Sequence, residues 1–164
     1  MPRISTTNRR NATKVLLLAG LIAGTLDICT AFVQVYLRSS KSPLPVLNYI
    51  SSAIFGKERA YAGGTPMMIL GLLLHYFIAF AFTFFFFWLY PKWNALSKNR
   101  FLTAVGYGLF VWAVMNLVVV PLSRISRFPS DPKQAAIAAA ILICMIGLPL
   151  SFIIGGYFDK SRQK

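Results

Sequence analysis

Four long apolar runs, separated by short polar and basic segments, dominate the chain. The runs cover residues 15–37, 66–90, 101–122 and 134–158. Each can cross the roughly 30 Å hydrocarbon core of a bilayer as a helix, which takes about 20 residues. No run shows the two-residue alternation of a barrel strand, and a helix satisfies its own backbone polar groups in lipid. The pattern predicts an all-α polytopic membrane protein, a four-helix transmembrane bundle with one transmembrane domain over residues 15–158.

A shorter amphipathic helix is predicted at about residues 43–55, between the first and second spans. Ser42 and Pro43 are typical of a helix start, and Gly56 is typical of a helix end. Apolar residues recur at helical spacing on one side and short polar residues lie on the other: Leu47, Ile50 and Ile54 against Asn48, Ser51 and Ser52. Because the segment is too short to cross the membrane, we expect it to be interfacial or re-entrant, dipping into the mouth of the bundle.

Composition and charge exclude a soluble domain. Only 13% of the residues are charged, whereas a soluble domain has about a quarter. Seventeen Lys and Arg against four acids give a net charge of +13, which in a soluble protein would suggest nucleic-acid binding. Here the basic residues flank the apolar runs, including a basic leader at 1–14 and a basic tail at 159–164. The expected partner is therefore a bilayer with anionic headgroups, and no nucleic acid.

The first apolar run has two interpretations, a membrane span or a secretory signal peptide. It is longer than the roughly 7–15 apolar residues of a signal core, and it carries Asp27 in its middle. We therefore interpret it as a span, which places both termini on one side of the membrane. That side holds ten basic residues and the other side holds seven, so the positive-inside rule predicts cytoplasmic termini.

Small residues and prolines predict how the spans pack. Small residues recur on one stripe of the first and fourth spans, where they let another helix backbone approach closely. The positions expected at helix contacts are Gly20, Gly24, Ala140 and Gly147. Pro121 and Pro149 predict kinks, because each removes a backbone donor from its helix.

Three polar residues inside the apolar runs form the candidate site. Counted from the side of the first long loop, Asp27, His75 and Asn116 lie about ten, nine and seven residues deep, which is one layer at a rise of about 1.5 Å per residue. An acid, an imidazole and an amide in one layer can bind a cation, relay a proton or hold a small polar ligand. The alternative is a hydrogen-bonded cluster that only joins the helices, with Asp27 protonated or paired with His75. For His75 alone, a packing role is the simpler interpretation.

No other motif points to catalysis, a metal or a cofactor. Cys29 and Cys144 lie singly within apolar runs and are expected to be small buried hydrophobes. The chain has a single His and contains neither a phosphate-binding loop nor a nucleophile motif. An intramembrane enzyme acting on lipid would need more acids near the headgroups than Glu58 and Asp131. The expectation is therefore a protein that is not an enzyme and has no cofactor.

Short segments distributed from residue 20 to residue 149 carry a resemblance to a known family. In order they are GTLD at 24–27, SP at 42–43, VL at 46–47, YISS at 49–52, GG at 63–64, GLLLH at 71–75, GYG at 106–108, MN at 115–116, VPLS at 120–123 and GLP at 147–149. Together they resemble a family of short, uncharacterised bacterial inner-membrane proteins with four predicted spans. The resemblance implies the four-span fold and the bacterial inner membrane, and it implies no activity. Ala53 replaces a Gly of the family pattern, and Leu142 stands where some members have a further His, which argues against a two-histidine metal site.

Two functions remain open from the sequence. The first is transport, proton or ion handling, or binding of a small polar ligand through the layer of Asp27, His75 and Asn116. The second is a non-enzymatic structural or accessory subunit of a membrane complex, or a homo-oligomer, assembled through the small-residue faces. A polar cavity that reaches Asp27 favours the first function, and a dry closed cluster favours the second.

Overall fold

A computed structural model of the protein describes residues 6–162, and the side chains of residues 11–160. All regular structure in this part of the chain is helical. Four helices are long and apolar enough to cross a membrane: Asn11–Ser39, Gly64–Leu89, Arg100–Leu122 and Pro132–Lys160, named spans 1 to 4. The predicted all-α fold with four spans and a short additional helix is therefore confirmed. Residues 1–5 of the basic leader and 163–164 of the basic tail lie outside the described residues.

The helices run somewhat beyond the apolar runs. The helix of span 1 is Thr6–Ser39, that of span 2 is Gly64–Leu89, and that of span 4 ends at Arg162. A connecting helix, Pro45–Phe55, and a short helix, Lys57–Ala62, join spans 1 and 2, and Ala95–Lys98 lies between spans 2 and 3. The loop side of the bundle holds residues 40–63 and 123–131. The terminal side holds residues 90–99 and both described ends.

Side-chain caps set the starts of spans 3 and 4. The Asn99 side-chain oxygen accepts hydrogen bonds from the backbone N–H groups of Phe101 and Leu102 at 3.0 and 3.1 Å. The Asp131 carboxylate accepts one from the N–H of Lys133 at 2.9 Å, directly before Pro132 occupies the first helical position. Each cap satisfies donors that a helix start otherwise leaves unpaired.

The connecting helix turns its polar side toward the protein. Asn48, Ser51 and Ser52 are buried together with Leu47 of the apolar side, whereas Tyr49 and Ile54 are exposed. The Asn48 amide donates to the carbonyl of Ala60 at 2.7 Å, and both serines donate to carbonyls of their own helix. The helix packs against span 2 so closely that a Cβ at Gly71 would overlap the carbonyl of Leu47. This short helix is therefore part of the bundle mouth.

Span 1 lies at the centre of the helix contacts. It packs against spans 2 and 4, and span 4 packs against span 3. Spans 2 and 3 meet mainly through side chains, such as the rings of Phe86 and Tyr107, whose centroids are 4.5 Å apart. On the loop side, Arg38 of span 1 donates a hydrogen bond to Gln134 of span 4. The tightest core lies toward the terminal side, and its members are Ala19, Ala23, Phe86, Tyr90, Tyr107, Val111, Ile146, Leu150 and Ile154.

Both prolines predicted to kink a span follow a π-helical segment. The segments are Val114–Val119 in span 3, ahead of Pro121, and Ile143–Gly147 in span 4, ahead of Pro149. After each segment, a backbone N–H donates to the carbonyl five residues earlier in the chain. The N–H of Val120 donates to the carbonyl of Met115, and the N–H of Leu148 donates to the carbonyl of Ile143. Such wider turns are frequent at functional sites, since they change which residues share a helix face.

Three of the four small residues expected at helix contacts are buried there. At Gly20, an added Cβ would meet the ring of Phe80. At Gly24 it would meet Tyr76 and Ala79, and at Gly147 it would meet the backbone carbonyl of Ala104. Ala140 is exposed, so the structure differs from the expectation at this residue. Near Ala140, spans 3 and 4 come into close contact one turn further along span 4, where Gly108 meets Ile143.

The two cysteines also depart from the sequence-based expectation. Cys29 and Cys144 are both exposed on the outside of the bundle. A cysteine is apolar enough to face lipid as readily as a protein core, so an apolar run does not distinguish the two placements.

Candidate functional site

The three residues of the predicted polar layer line one cavity of about 350 Å³. Asp27 comes from span 1, His75 from span 2 and Asn116 from span 3, and span 4 supplies apolar wall. The volume corresponds to about twelve water molecules at roughly 30 Å³ each. The structure thus brings an acid, an imidazole and an amide to one space within the bundle.

His75 ties span 2 to span 1. Its Nε2 atom lies 2.8 Å from the backbone carbonyl oxygen of Gly24. Because a carbonyl only accepts, the hydrogen of this bond is on Nε2, and Nδ1 is the remaining ring nitrogen. The next residue along span 2 repeats the connection, since the hydroxyls of Tyr76 and Thr25 are 2.8 Å apart.

Asn116 is positioned by the π-helical segment of span 3. Its Nδ2 donates to the carbonyl of Trp112 at 3.0 Å, so its Oδ1 remains as an acceptor. Met115, the preceding residue, lines the same cavity. Met115 and Asn116 both lie in the π-helical segment Val114–Val119, so this segment forms the part of the wall that span 3 contributes at this depth.

Asp27 is half-buried and borders the cavity. Within residues 11–160, its carboxylate makes no hydrogen bond to another group and no ion pair within 4.0 Å. The polar partners of the layer are used elsewhere, His75 on Gly24 and Asn116 on Trp112. A carboxylate at this depth is costly when it is alone. Asp27 and His75 therefore share the cavity wall without a hydrogen bond between them among the described residues.

The remaining wall combines a few polar groups with a large apolar surface. Gln34 of span 1 and Tyr49 of the connecting helix add polar atoms toward the loop side. Ile78, Phe82 and Leu142 are among the apolar side chains that form the rest. A mostly apolar pocket with few convergent polar groups is typical of small-molecule sites. The contribution of Tyr49 was not predicted, because it depends on how the connecting helix docks.

The cavity is closed toward the terminal side of the bundle. The buried rings of Phe86 and Tyr107 and the side chain of Leu150 belong to the packed core there. On the loop side the connecting helix borders the cavity through Tyr49 and Ile50. This helix packs on span 2 at Gly71, and its Ala53 carbonyl accepts a hydrogen bond from the N–H of Arg124 in the loop after span 3 at 3.0 Å. The cavity is therefore a pocket with one polar end and not a continuous pore.

Metal ligands are sparse, and the comparisons with known proteins are negative. The described residues contain no group of three or more His, Cys, Asp or Glu side chains that could hold a metal ion. Asp27 and His75 are the two such residues in the cavity wall, fewer than a structural or catalytic zinc site uses. No protein-family model, no curated protein sequence and no solved structure matches this chain.

Proposed function

We propose that this chain is a multi-pass protein of the bacterial inner membrane, with cytoplasmic termini, whose cavity binds a small polar ligand for recognition or transport. The observation that carries the proposal is Asp27, a carboxylate that borders a cavity of about 350 Å³ and has no hydrogen-bond partner among the described residues. A group of this kind at membrane depth is more often functional than structural.

Ligand binding has more support than ion conduction or a scaffolding role. A pore needs a continuous path, whereas the packed core around Phe86 and Tyr107 lies between the cavity and the terminal side. A scaffold needs no cavity, and its polar residues would satisfy one another. A transport cycle on this fold would need a second conformation in which that core separates.

Cysteine accessibility tests whether the cavity is open to small polar molecules. Ala31 lines the cavity, and Val33, two residues along the same span, is exposed on the outer surface. Both are replaced by Cys, one at a time, in a background with Cys29→Ala and Cys144→Ala. Vesicles carrying each variant are treated with a small charged methanethiosulfonate from either side.

We expect labelling of Ala31→Cys and none of Val33→Cys, since the charged reagent does not enter lipid. Ala138→Cys, on the opposite wall of the cavity, serves as a second reporter if Ala31→Cys reduces expression. Absence of labelling at both cavity positions would overturn the proposal and favour the structural subunit.

A further inference from the structure

The chemistry of the cavity favours a ligand that donates hydrogen bonds and carries positive charge. Asp27 offers carboxylate oxygens, Asn116 offers Oδ1, and a neutral His75 with its hydrogen on Nε2 offers Nδ1. Among the described residues, no Lys or Arg lines the cavity. A protonated amine placed among these groups would give the Asp27 carboxylate a charge-assisted hydrogen bond, which it lacks among the described residues.

An inorganic metal cation fits this cavity wall poorly. Hard cations take six or more oxygen ligands at short distance, and the layer supplies few oxygens in a cavity of about 350 Å³. Most of the wall is aliphatic or aromatic, with Ile78, Val111 and Ile146 among its members. The rings of Tyr49 and Phe82 can add cation–π attraction for an organic cation. The wall therefore suits an amine attached to an apolar body.

The lateral surface between spans 2 and 3 carries a recess next to the cavity. This recess of about 240 Å³ is lined by Ala81, Phe82, Phe85 and Phe110. Phe82 also lines the inner cavity, so a single aromatic side chain borders both spaces. Phe85 and Phe110 are stacked at 5.5 Å between centroids and are both exposed on the outer surface. A ligand dissolved in the hydrocarbon region can reach the cavity by displacing Phe82.

From these observations we infer that the ligand of the cavity is an amphiphilic organic monocation that enters from the bilayer between spans 2 and 3, past Phe82. The inference rests on the proposed function, since it names the ligand class of the same site. It adds charge selectivity and a route, and each is tested separately from the accessibility of the cavity.

Matched probes test the charge selectivity. Radiolabelled 4-phenylbutylamine, which is protonated at neutral pH, is compared with 4-phenylbutan-1-ol and 4-phenylbutanoate on the protein in nanodiscs of zwitterionic lipid, with empty nanodiscs subtracted. We expect the amine to bind at least about ten-fold more tightly than the alcohol, the scale of one charge-assisted hydrogen bond, and the acid to bind least. Asp27→Asn should abolish this preference, whereas Glu58→Gln, an exposed acid outside the cavity, should preserve it.

A plug in the outer recess tests the route. Ala81 lines the recess and not the cavity, so Ala81→Trp should slow association and dissociation of the amine together and leave Kd unchanged. Phe84→Trp, on the exposed surface of the same span, is the matched control and should leave both rates unchanged. Equal affinity for amine and alcohol, or wild-type rates in Ala81→Trp, overturns the inference.

The outcomes separate the inference from the function on which it rests. If Ala31→Cys is labelled by the polar reagent but no probe binds, the inference is wrong and the accessible cavity stands. If Ala31→Cys and Ala138→Cys both resist labelling, the proposed function itself fails, whatever the probes do.

Discussion

The Nε2 atom of His75 lies 2.8 Å from the carbonyl oxygen of Gly24, a bond that joins span 2 to span 1 next to the cavity. His75 therefore has a structural role, because its Nε2 bonds to a backbone carbonyl of span 1. It also lines the cavity. Asp27, three residues after Gly24, has the complementary character, because it borders the cavity without a hydrogen bond to the described residues. Substitutions at the two positions should separate stability from binding.

His75→Leu should lower the free energy of unfolding by about 1 kcal/mol, since hydrogen bonds between membrane helices average about 0.6 and reach about 1.7 kcal/mol. Titration with a denaturing detergent in mixed micelles measures the change. Phe77→Leu, two residues away on the exposed surface of the same span, is the control and should stay near wild type. Equal stabilities for His75→Leu and wild type would show that the bond to Gly24 contributes nothing.

Asp27→Asn should not lower the free energy of unfolding by more than about 0.5 kcal/mol, because no hydrogen bond to a described residue is lost and the variant removes the cost of a carboxylate at membrane depth. The same detergent titration provides the measurement. A loss of more than about 1 kcal/mol would mean that the carboxylate is part of the cluster that joins the helices, contrary to its placement on the cavity.

The sequence predicts the spans well and the contacts between them poorly. The position of each span follows from the length of apolar chain that a bilayer requires, and the common depth of Asp27, His75 and Asn116 follows from helical rise. The hydrogen-bond partner of His75 depends instead on the rotation of span 2 about its axis. No local pattern encodes that rotation.

The same distinction explains Ala140 and the connecting helix. A small residue permits close packing but does not require it, and Ala140 is exposed while nearby Ile143 makes the contact with Gly108. The pattern of the connecting helix predicts two faces, but which one faces protein is decided by partners such as the Ala60 carbonyl, which accepts from Asn48. Polar residues turn inward when the bundle mouth supplies their hydrogen bonds.

Gly71→Ala should destabilise the packing of the connecting helix. A Cβ at this position would overlap the backbone carbonyl of Leu47, and backbone cannot move aside as a flexible side chain can. Overpacking of this kind costs about 1 to 3 kcal/mol. The thermal midpoint in mild detergent should fall, whereas Gly156→Ala, where no neighbour lies within 4 Å of the new Cβ, should keep it. Unchanged midpoints in both variants would contradict the close approach of the connecting helix to span 2.

The proposed orientation is tested with reporter fusions. Fusions at residues 60, 95, 128 and 164 should report outside, inside, outside and inside, because four spans alternate across the membrane and the terminal side carries more basic residues. Paired phosphatase and fluorescent-protein reporters at each site give opposite signals and control for expression. A cytoplasmic signal at residue 60 would reverse the orientation.

Tyr107→Phe should loosen the barrier between the cavity and the bilayer. The Tyr107 hydroxyl donates to the backbone carbonyl of Phe82 at 2.6 Å, so it holds the residue that borders both the inner cavity and the outer recess. The variant keeps the ring that packs on Phe86 and removes one hydrogen bond, which should cost about 0.5 to 1.5 kcal/mol of unfolding free energy. Because Tyr107 does not line the cavity itself, the Kd of 4-phenylbutylamine should change little while its association and dissociation rates both rise.

Tyr61→Phe, at an exposed tyrosine on the loop side, should leave the rates at wild-type values. Rates that stay unchanged in Tyr107→Phe despite the loss of stability would show that Phe82 does not control the route.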